Sequence, residues 1–472
     1  MGHGFYKVLS LATLVLLARY LGEREFGMFI VALVAVQLAD AISDLGLSQA
    51  MVREGAGNDD RLGMDLAAVV PFKLVLSALS VILALGMVAA SGGGALIVET
   101  AFYLGLAQAL GSLTFLLRSV FQTHERMEYE ALSVVLEGWL RLGAVVITVA
   151  GSYGLVGIGK MFALSSLIVV VATAIAMVHR FARPRFTTGW FKRGLDLLVM
   201  GLPISFVWLL IGADQRINTL LLARFSGDAA AGAFGAAFRL VEPTLIIPSM
   251  LIVAIFPVAV RHGREGVGTT HFLLTSSQKM LMALSLPIAA AIWVAAPTLV
   301  AIVFGSPIDS VIQPIRILAP VIVLLFARFG MTQMLLAAGR WRAALWPQVL
   351  ALLANAALAL VLIPMNGETG AALAVLGGEV IAVAAVAVVL RDDFGESGLW
   401  QIARPALIAI PSALAGGVVG QWSLALAVIT TVAVYLVGLR LVRPFSRQDA
   451  AYLRSVMPMF AAAVVFATDE RR

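Results

Sequence analysis

Of 472 residues, 61% are hydrophobic and 13% charged, with a mean hydropathy of +0.98. A soluble chain is roughly half apolar and a quarter charged, so a water-soluble enzyme or nucleic-acid-binding protein is excluded and a multi-span membrane protein is indicated. Cysteine is absent, which rules out disulfides and thiolate chemistry, and the net charge of +6 is explained by membrane topology without any nucleic-acid partner.

The apolar runs are 16 to 25 residues long and continuous. That length suits helices crossing a hydrocarbon core about 30 Å thick, and the continuity excludes the alternating strands of a barrel. In chain order the predicted spans are 5–21, 28–50, 67–90, 98–121, 131–151 and 157–179, then 196–225, 230–260, 272–304, 313–338, 345–365 and 369–390, and finally 403–420 and 422–441. The first run, Phe5 to Tyr20, reads as a retained span and not as a cleaved signal. Between the sixth and seventh spans lies the basic stretch Arg180, Arg183, Arg185, Lys192 and Arg193. After the last, the segment from Ser446 to Arg454 reads as a short amphipathic helix at the membrane surface.

Counting Lys and Arg in alternate connections gives nineteen on one side, from Arg53 and Arg61 to Arg471 and Arg472, against only Arg24 on the other. Cytoplasmic loops keep such an excess, so both termini are expected in the cytoplasm. Trp190, Trp341 and Trp400 near one interface and Trp422 near the other fit aromatic belts.

Leu17 to Phe29 returns at Leu222 to Phe234 without a gap, with Leu17/Leu222, Ala18/Ala223, Arg19/Arg224, Gly22/Gly227, Gly27/Gly232 and Phe29/Phe234 identical. The copies start at spans 1 and 7, so the repeats are parallel. The expected fold is an all-α polytopic membrane protein of about fourteen transmembrane helices, two parallel six-helix bundles plus two C-terminal helices. The expected divisions are an N-terminal bundle at 1–180, a basic cytoplasmic linker at 181–195, a second bundle at 196–391, helices 13 and 14 at 392–442 and a cytoplasmic tail at 443–472.

Leu-Ala-Arg-Tyr-Leu-Gly-x-x-x-Phe-Gly at 17–27, followed by Ser43-Asp44-Leu45-Gly46-Leu47-Ser48-Gln49-Ala50, resembles the opening signature of the polysaccharide-type, Wzx-like flippases of the multidrug/oligosaccharidyl-lipid/polysaccharide exporter superfamily. Ala236-Ala237-Phe238-Arg239-Leu240, the later Phe256-Pro257, and Leu335-Leu336-Ala337-Ala338-Gly339-Arg340 are similar to further segments of that family. The resemblance implies a flippase, not an enzyme, moving a polyprenyl-diphosphate-linked oligosaccharide from the cytoplasmic to the periplasmic leaflet for O-antigen, capsule or exopolysaccharide synthesis. It also implies the bacterial inner membrane, lipid contacts and polysaccharide assembly proteins as partners. Two departures stand out. The N terminus is about ten residues shorter than the family pattern leads one to expect, and Thr13-Leu14 stands where related lipid II flippases carry an Arg-Asp pair. The alternatives are a cation-coupled multidrug exporter of the same superfamily and a membrane-embedded polymerase or glycosyltransferase.

A cavity for a diphosphate calls for arginine, whose planar fork binds phosphate bidentately and keeps its charge. Arg141, Arg216, Arg239 and Arg328 lie deep in their spans, where a lone charge costs about 2.5–3.5 kcal/mol even on the lenient scale. These four are the substrate-binding candidates. Glu137 stands four residues from Arg141 and Glu242 three from Arg239, so either arginine has an alternative as an internal ion pair, whereas Arg216 has no acid at that spacing. Lys7, Arg19, Lys73, Arg118, Lys160, Arg224, Lys279, Arg316 and Arg440 are read as end-of-span residues that snorkel; among them Arg19 and Arg224 are gate-side candidates. The deep acids Asp40, Asp44 and Asp214 are the ion-coupling candidates, for a proton or sodium ion, with structural hydrogen bonding as the competing role. No cofactor or metal is expected: Gly154-x4-Gly159-Lys160 lacks the Ser or Thr of a phosphate loop, and the five histidines have no ligand spacing.

Overall fold

The computed structural model describes residues 2–55, 59–181, 183–249, 251, 267–306, 308–337, 339–391, 393, 406–419, 424–442, 444–446 and 448–449. Phe256-Pro257, Trp400, Trp422, Arg454 and most of the tail lie outside them. The helices are α1 (Gly2–Asp44), α2 (Leu47–Gly55), α3 (Asp59–Ala90), α4 (Ala95–Thr123), α5 (Met127–Ala150), α6 (Gly154–Arg180), α7 (Trp190–Phe225), α8 (Asp228–Val241), α9 (Val267–Phe304), α10 (Asp309–Ala337), α11 (Trp341–Val389), α12 (Ala406–Val419) and α13 (Leu424–Val442).

Among the described residues ten helices are long and apolar enough to cross a membrane. Two of these each hold two spans: α1 breaks at Gly22 and α11 at Gly367. With the shorter apolar α12 and α13, about fourteen crossings result, as the apolar runs require. At Gly367 the chain doubles back, and the two arms pack so closely that a Cβ on Gly378 would lie 2.7 Å from the Asn355 side chain. The second span ends at Asp44, short of the expected residue 50. Leu45 and Gly46 both take positive φ (40° and 79°), so the chain turns there and Leu47–Gly55 forms a separate amphipathic helix.

Two compact units result, Met1–Gly235 with Val303–Gly305, and Ala236–Ile302 with Ser306–Arg472. In the first, α1 packs against α3, α4, α5 and α7. One core of this unit gathers Leu47, Met51, Leu66, Val69, Leu116, Val120, Phe121, Met177 and Leu197 from five helices. Large apolar side chains such as Val75, Ile82 and Trp139 remain exposed, as lipid-facing positions do. In the second unit α10 packs on α11 and α12 on α13. A Cβ at Gly416 would lie 2.9 Å from the Ala427 carbonyl, which is the close helix approach expected there.

By its packing α7 belongs to the first unit, although the sequence repeat makes it the opening helix of the second bundle. It begins at Trp190, inside the stretch read as linker. Arg193 explains this early start: its Nε donates to Asp65 Oδ1 at 2.6 Å and its Nη2 to Oδ2 at 2.9 Å, so the charge is matched on α3. The Asp65 hydrogen bond holds the Arg193 guanidinium above its ordinary pKa, and it stays charged at any working pH. The linker itself is pinned by the Arg185 amide, which donates to the Gly63 carbonyl at 3.0 Å.

The repeat has a steric reason. Leu17 and Leu222, Ala18 and Ala223, Phe29 and Phe234 are buried in both copies. Gly22 and Gly227 both take positive φ, 70° and 86°, which a residue with a Cβ adopts only under strain. Gly27 and Gly232 meet each other: a Cβ on Gly232 would lie 2.5 Å from Gly27 Cα, and one on Gly27 would run into the Asp228 carbonyl. Gly27→Ala is therefore expected to lower the thermal midpoint of the purified protein, through the about 1–3 kcal/mol that overpacking costs. Gly111→Ala, where a Cβ meets nothing within 4 Å, should change stability by less than about 1 kcal/mol. Equal melting curves for the two variants would refute the close contact.

Candidate functional site

The second span of α1 carries a cluster of polar side chains. Asp40 and Asp44 are one turn apart and so share a face. Around Asp40, Ser43 Oγ donates to Oδ1 at 2.6 Å and Gln108 Nε2 of α4 to Oδ2 at 2.7 Å, while Ser43 Oγ also lies 2.6 Å from Ser112 Oγ. Asp44 accepts from Ser48 at 2.5 Å and forms an ion pair with Lys73 of α3.

Lys73 corrects the sequence reading, which had it snorkelling. Its side chain is 0% exposed. The reason is the helix start: α3 begins at Asp59, fourteen residues before Lys73, which at 1.5 Å per residue is about 21 Å of helix. A lysine stem is too short to reach water from there, so the ammonium takes a carboxylate. The missed signal was that the helix extends well beyond its apolar stretch.

The four candidate arginines separate by partner. Arg141 on α5 pairs with Glu137 at 2.9 Å, as the spacing allowed, and donates to the Tyr6 hydroxyl at 3.1 Å. The same carboxylate accepts from Arg118 at 2.9 Å, another residue expected to snorkel and found inside. Two guanidiniums on one carboxylate leave this cluster with one net positive charge.

Arg328 was expected in an open cavity, and the structure places it in the interior of the second unit. It is 4% exposed, donating to Glu379 at 2.6 Å and to Gln348 at 3.0 Å. The charge is neutralised where it stands. Lys279, also read as snorkelling, is buried in that unit and pairs with Asp449 at 3.1 Å. Asp449 is further held by Ser276, while Ser446 and Asp449 exchange hydrogen bonds as a reciprocal cap. Arg239 ends α8 in the second unit, half-buried, and Glu242 opens the short 3-10 turn after it.

Arg216 on α7 stands apart. Half-buried, it donates to Gln37 Oε1 at 3.4 Å and to the Gly212 carbonyl at 3.3 Å. Both acceptors are neutral, so among the described residues the charge has no carboxylate partner, one turn along α1 from Asp40. Asp214, two residues earlier, is 5% exposed, and Asn218 is also buried. The gate-side candidates Arg19 and Arg224 are exposed, and Arg19 Nε reaches the Val303 carbonyl at 3.4 Å.

Removing one member of a buried pair leaves the other uncompensated, at a cost of about 3–5 kcal/mol. Glu379→Leu is thus expected to lower the melting temperature in detergent sharply, and Arg328→Leu/Glu379→Leu to recover much of the loss. A double variant no more stable than the single would refute the pairing.

A family model described as polysaccharide biosynthesis protein matches residues 1–262. No curated protein matches the chain by sequence. Among solved structures, the chain is similar to the lipid II flippase MurJ in its inward closed conformation, with a TM-score of 0.73 and 14% identity over 97% of this chain and 98% of that one. It is similar to an inward-facing multidrug resistance MATE family transporter of the MOP superfamily, with a TM-score of 0.69 and 18% identity over 82% and 94%. A MOP superfamily transporter from Pyrococcus furiosus gives a TM-score of 0.59 and 18% identity over 83% and 93%. Such identities show a common fold, while the family match spans more than half of the chain. This multi-pass membrane protein therefore belongs to the polysaccharide biosynthesis protein family and is built on the fold of the MOP-superfamily transporters.

Proposed function

We propose that the protein moves a polyprenyl-diphosphate-linked oligosaccharide from the cytoplasmic to the periplasmic leaflet of a bacterial inner membrane by alternating access, in the synthesis of a surface polysaccharide. Both termini then face the cytoplasm, where the basic connections lie. The observation that carries this reading is Arg216. Arg118, Arg141 and Arg328 each have a carboxylate partner, whereas among the described residues Arg216 meets the neutral Gln37 and Gly212 and no carboxylate.

A guanidinium with only long contacts to neutral acceptors keeps its charge available to an anion, which it can bind bidentately. The diphosphate is the part of the substrate common to every glycan of this class. Arg216 is therefore assigned to the head group and not to the sugars. The Arg118–Glu137–Arg141 cluster, with its net positive charge, is a second and weaker attraction for the same group. Arg239, half-buried in the second unit, is kept as a separate anion-binding candidate of that unit. Polysaccharide assembly proteins remain the partners this reading names.

The MATE-like fold supports a second reading, a cation-coupled multidrug exporter. Cationic drugs would be repelled by an uncancelled arginine, which is why the anionic substrate is preferred here. The test is a leaflet assay in sealed vesicles with a fluorescent polyprenyl-diphosphate glycan. Arg216→Ala is expected to cut the translocation rate about tenfold or more, the loss of a charged hydrogen bond of about 1.5–3 kcal/mol, and Arg216→Lys to recover part of it. Unchanged translocation in well-folded Arg216→Ala would reject the head-group assignment, and no protein-dependent movement of the glycan would reject the flippase reading.

A further inference from the structure

We infer that the segment 444–449, just beyond the last helix, is a latch that closes on the N-terminal part of α9 and keeps water from a polar stretch of that helix. The latch goes beyond the translocation reading, since neither its geometry nor its test involves a glycan.

The first observation is how Asp449 is held. α13 ends at Val442, and by residue 449 the chain has already reached α9. The Asp449 side chain is 1% exposed and is gripped from two sides. From α9, the Lys279 ammonium pairs with Oδ2 at 3.1 Å and the Ser276 hydroxyl donates to Oδ1. From the segment itself, the Ser446 amide and hydroxyl donate to Oδ2 at 2.8 and 2.9 Å. Phe445, in the same segment, is buried as well. Ser276 and Lys279 are three residues apart and share one face of α9, and Asp449 sits against that face.

The second observation is what the closed latch leaves unsatisfied. The five residues from Thr275 to Lys279 are all polar and all buried. Among the described residues, the Thr275 and Ser277 hydroxyls and both ends of the Gln278 amide have no hydrogen-bond partner. Orphaned polar atoms are rare in a core, because each has given up its water without a replacement. Thr275 stands one turn before Lys279, so it lies on the face that meets the segment. A run of Thr-Ser-Ser-Gln-Lys suits a surface that is wet for part of the time.

The two sets of contacts oppose each other. The ion pair and the Ser446 cap favour closure, whereas the orphaned groups favour lifting, since water would satisfy them. A segment balanced in this way opens locally while the rest of its unit stays folded. Lifting wets Thr275 and frees the Lys279 ammonium, so this cation is exposed in the open state alone.

The chain has no cysteine, so a single introduced thiol reports without background. Purified full-length Thr275→Cys in detergent is treated with a charged, water-soluble maleimide, and its labelling rate is compared with that of the same protein carrying Asp449→Asn. The latch predicts slow labelling in the first and labelling faster by about tenfold or more in the second, because loss of a buried charged contact shifts the opening equilibrium. Ala371→Cys, at a fully buried position of α11, controls for unfolding and should stay slow in both backgrounds. A purely structural tether would lower the melting temperature yet leave the Thr275→Cys rate unchanged, and that result overturns the proposal. Fast labelling of Thr275→Cys with Asp449 intact overturns it too. If Asp449→Asn unfolds the protein and exposes both thiols, Ser446→Ala decides, since it removes the cap and leaves the ion pair: the rate must rise by about threefold or more, and an unchanged rate rejects the latch. A flippase assay that fails while labelling behaves as expected would reject the substrate reading alone.

Discussion

A charge buried among helices in hydrocarbon must be matched, and most of this structure's polar detail follows from that constraint. Lys73 with Asp44, Arg118 and Arg141 with Glu137, Arg328 with Glu379 and Lys279 with Asp449 are four solutions to one problem. All but Arg141 with Glu137 join different segments of the chain. Such pairs contribute little net stability, since the desolvation they suffer offsets their attraction. What they fix is register, because a helix that slid by one turn would leave both partners bare. The Ser276 and Lys279 contacts to Asp449 extend the same logic to the chain beyond the last span.

Against that background the exceptions are informative. Arg216 has neutral acceptors, and Asp40 accepts from the neutral donors Ser43 and Gln108. One is a positive charge kept available and the other a negative one. They stand about one helical turn apart along the same span of α1, through Gln37. Both therefore bear on one helix, which packs on α3, α4, α5 and α7.

The number of spans, their helical nature and the parallel repeat were legible because hydropathy and spacing report them directly. The pairing of Glu137 with Arg141 was legible too, since four residues on a helix are neighbours wherever the helix sits. Lys73, Arg118 and Lys279 were not. Lys73 and Lys279 looked like end-of-span residues because apolar runs mark where hydrophobicity begins, whereas α3 starts at Asp59 and α9 at Val267, well before it; Arg118 is near the end of α4 but turns inward to Ser133 and Glu137 of α5. Arg328 was misread for the complementary reason: its partners Gln348 and Glu379 lie on α11, in the two arms on either side of Gly367. Only the folding-back of that helix brings them together. The split at Leu45 and Gly46 was missed because the apolar run continues past a turn that backbone geometry imposes.

The meeting of Gly27 with Gly232 bears on how such a chain can vary. The contact joins equivalent positions of two copies, as the interface of a twofold-symmetric dimer does. In a dimer of half-length chains one glycine would meet its own twin, and a single codon would set both sides of the contact. Once the halves are fused, the two positions mutate separately, yet each still lacks room for a methyl group because of the other. The surviving likeness of Leu17–Phe29 and Leu222–Phe234 then has a steric cause at its centre: neither copy can drift there while its counterpart stays in place.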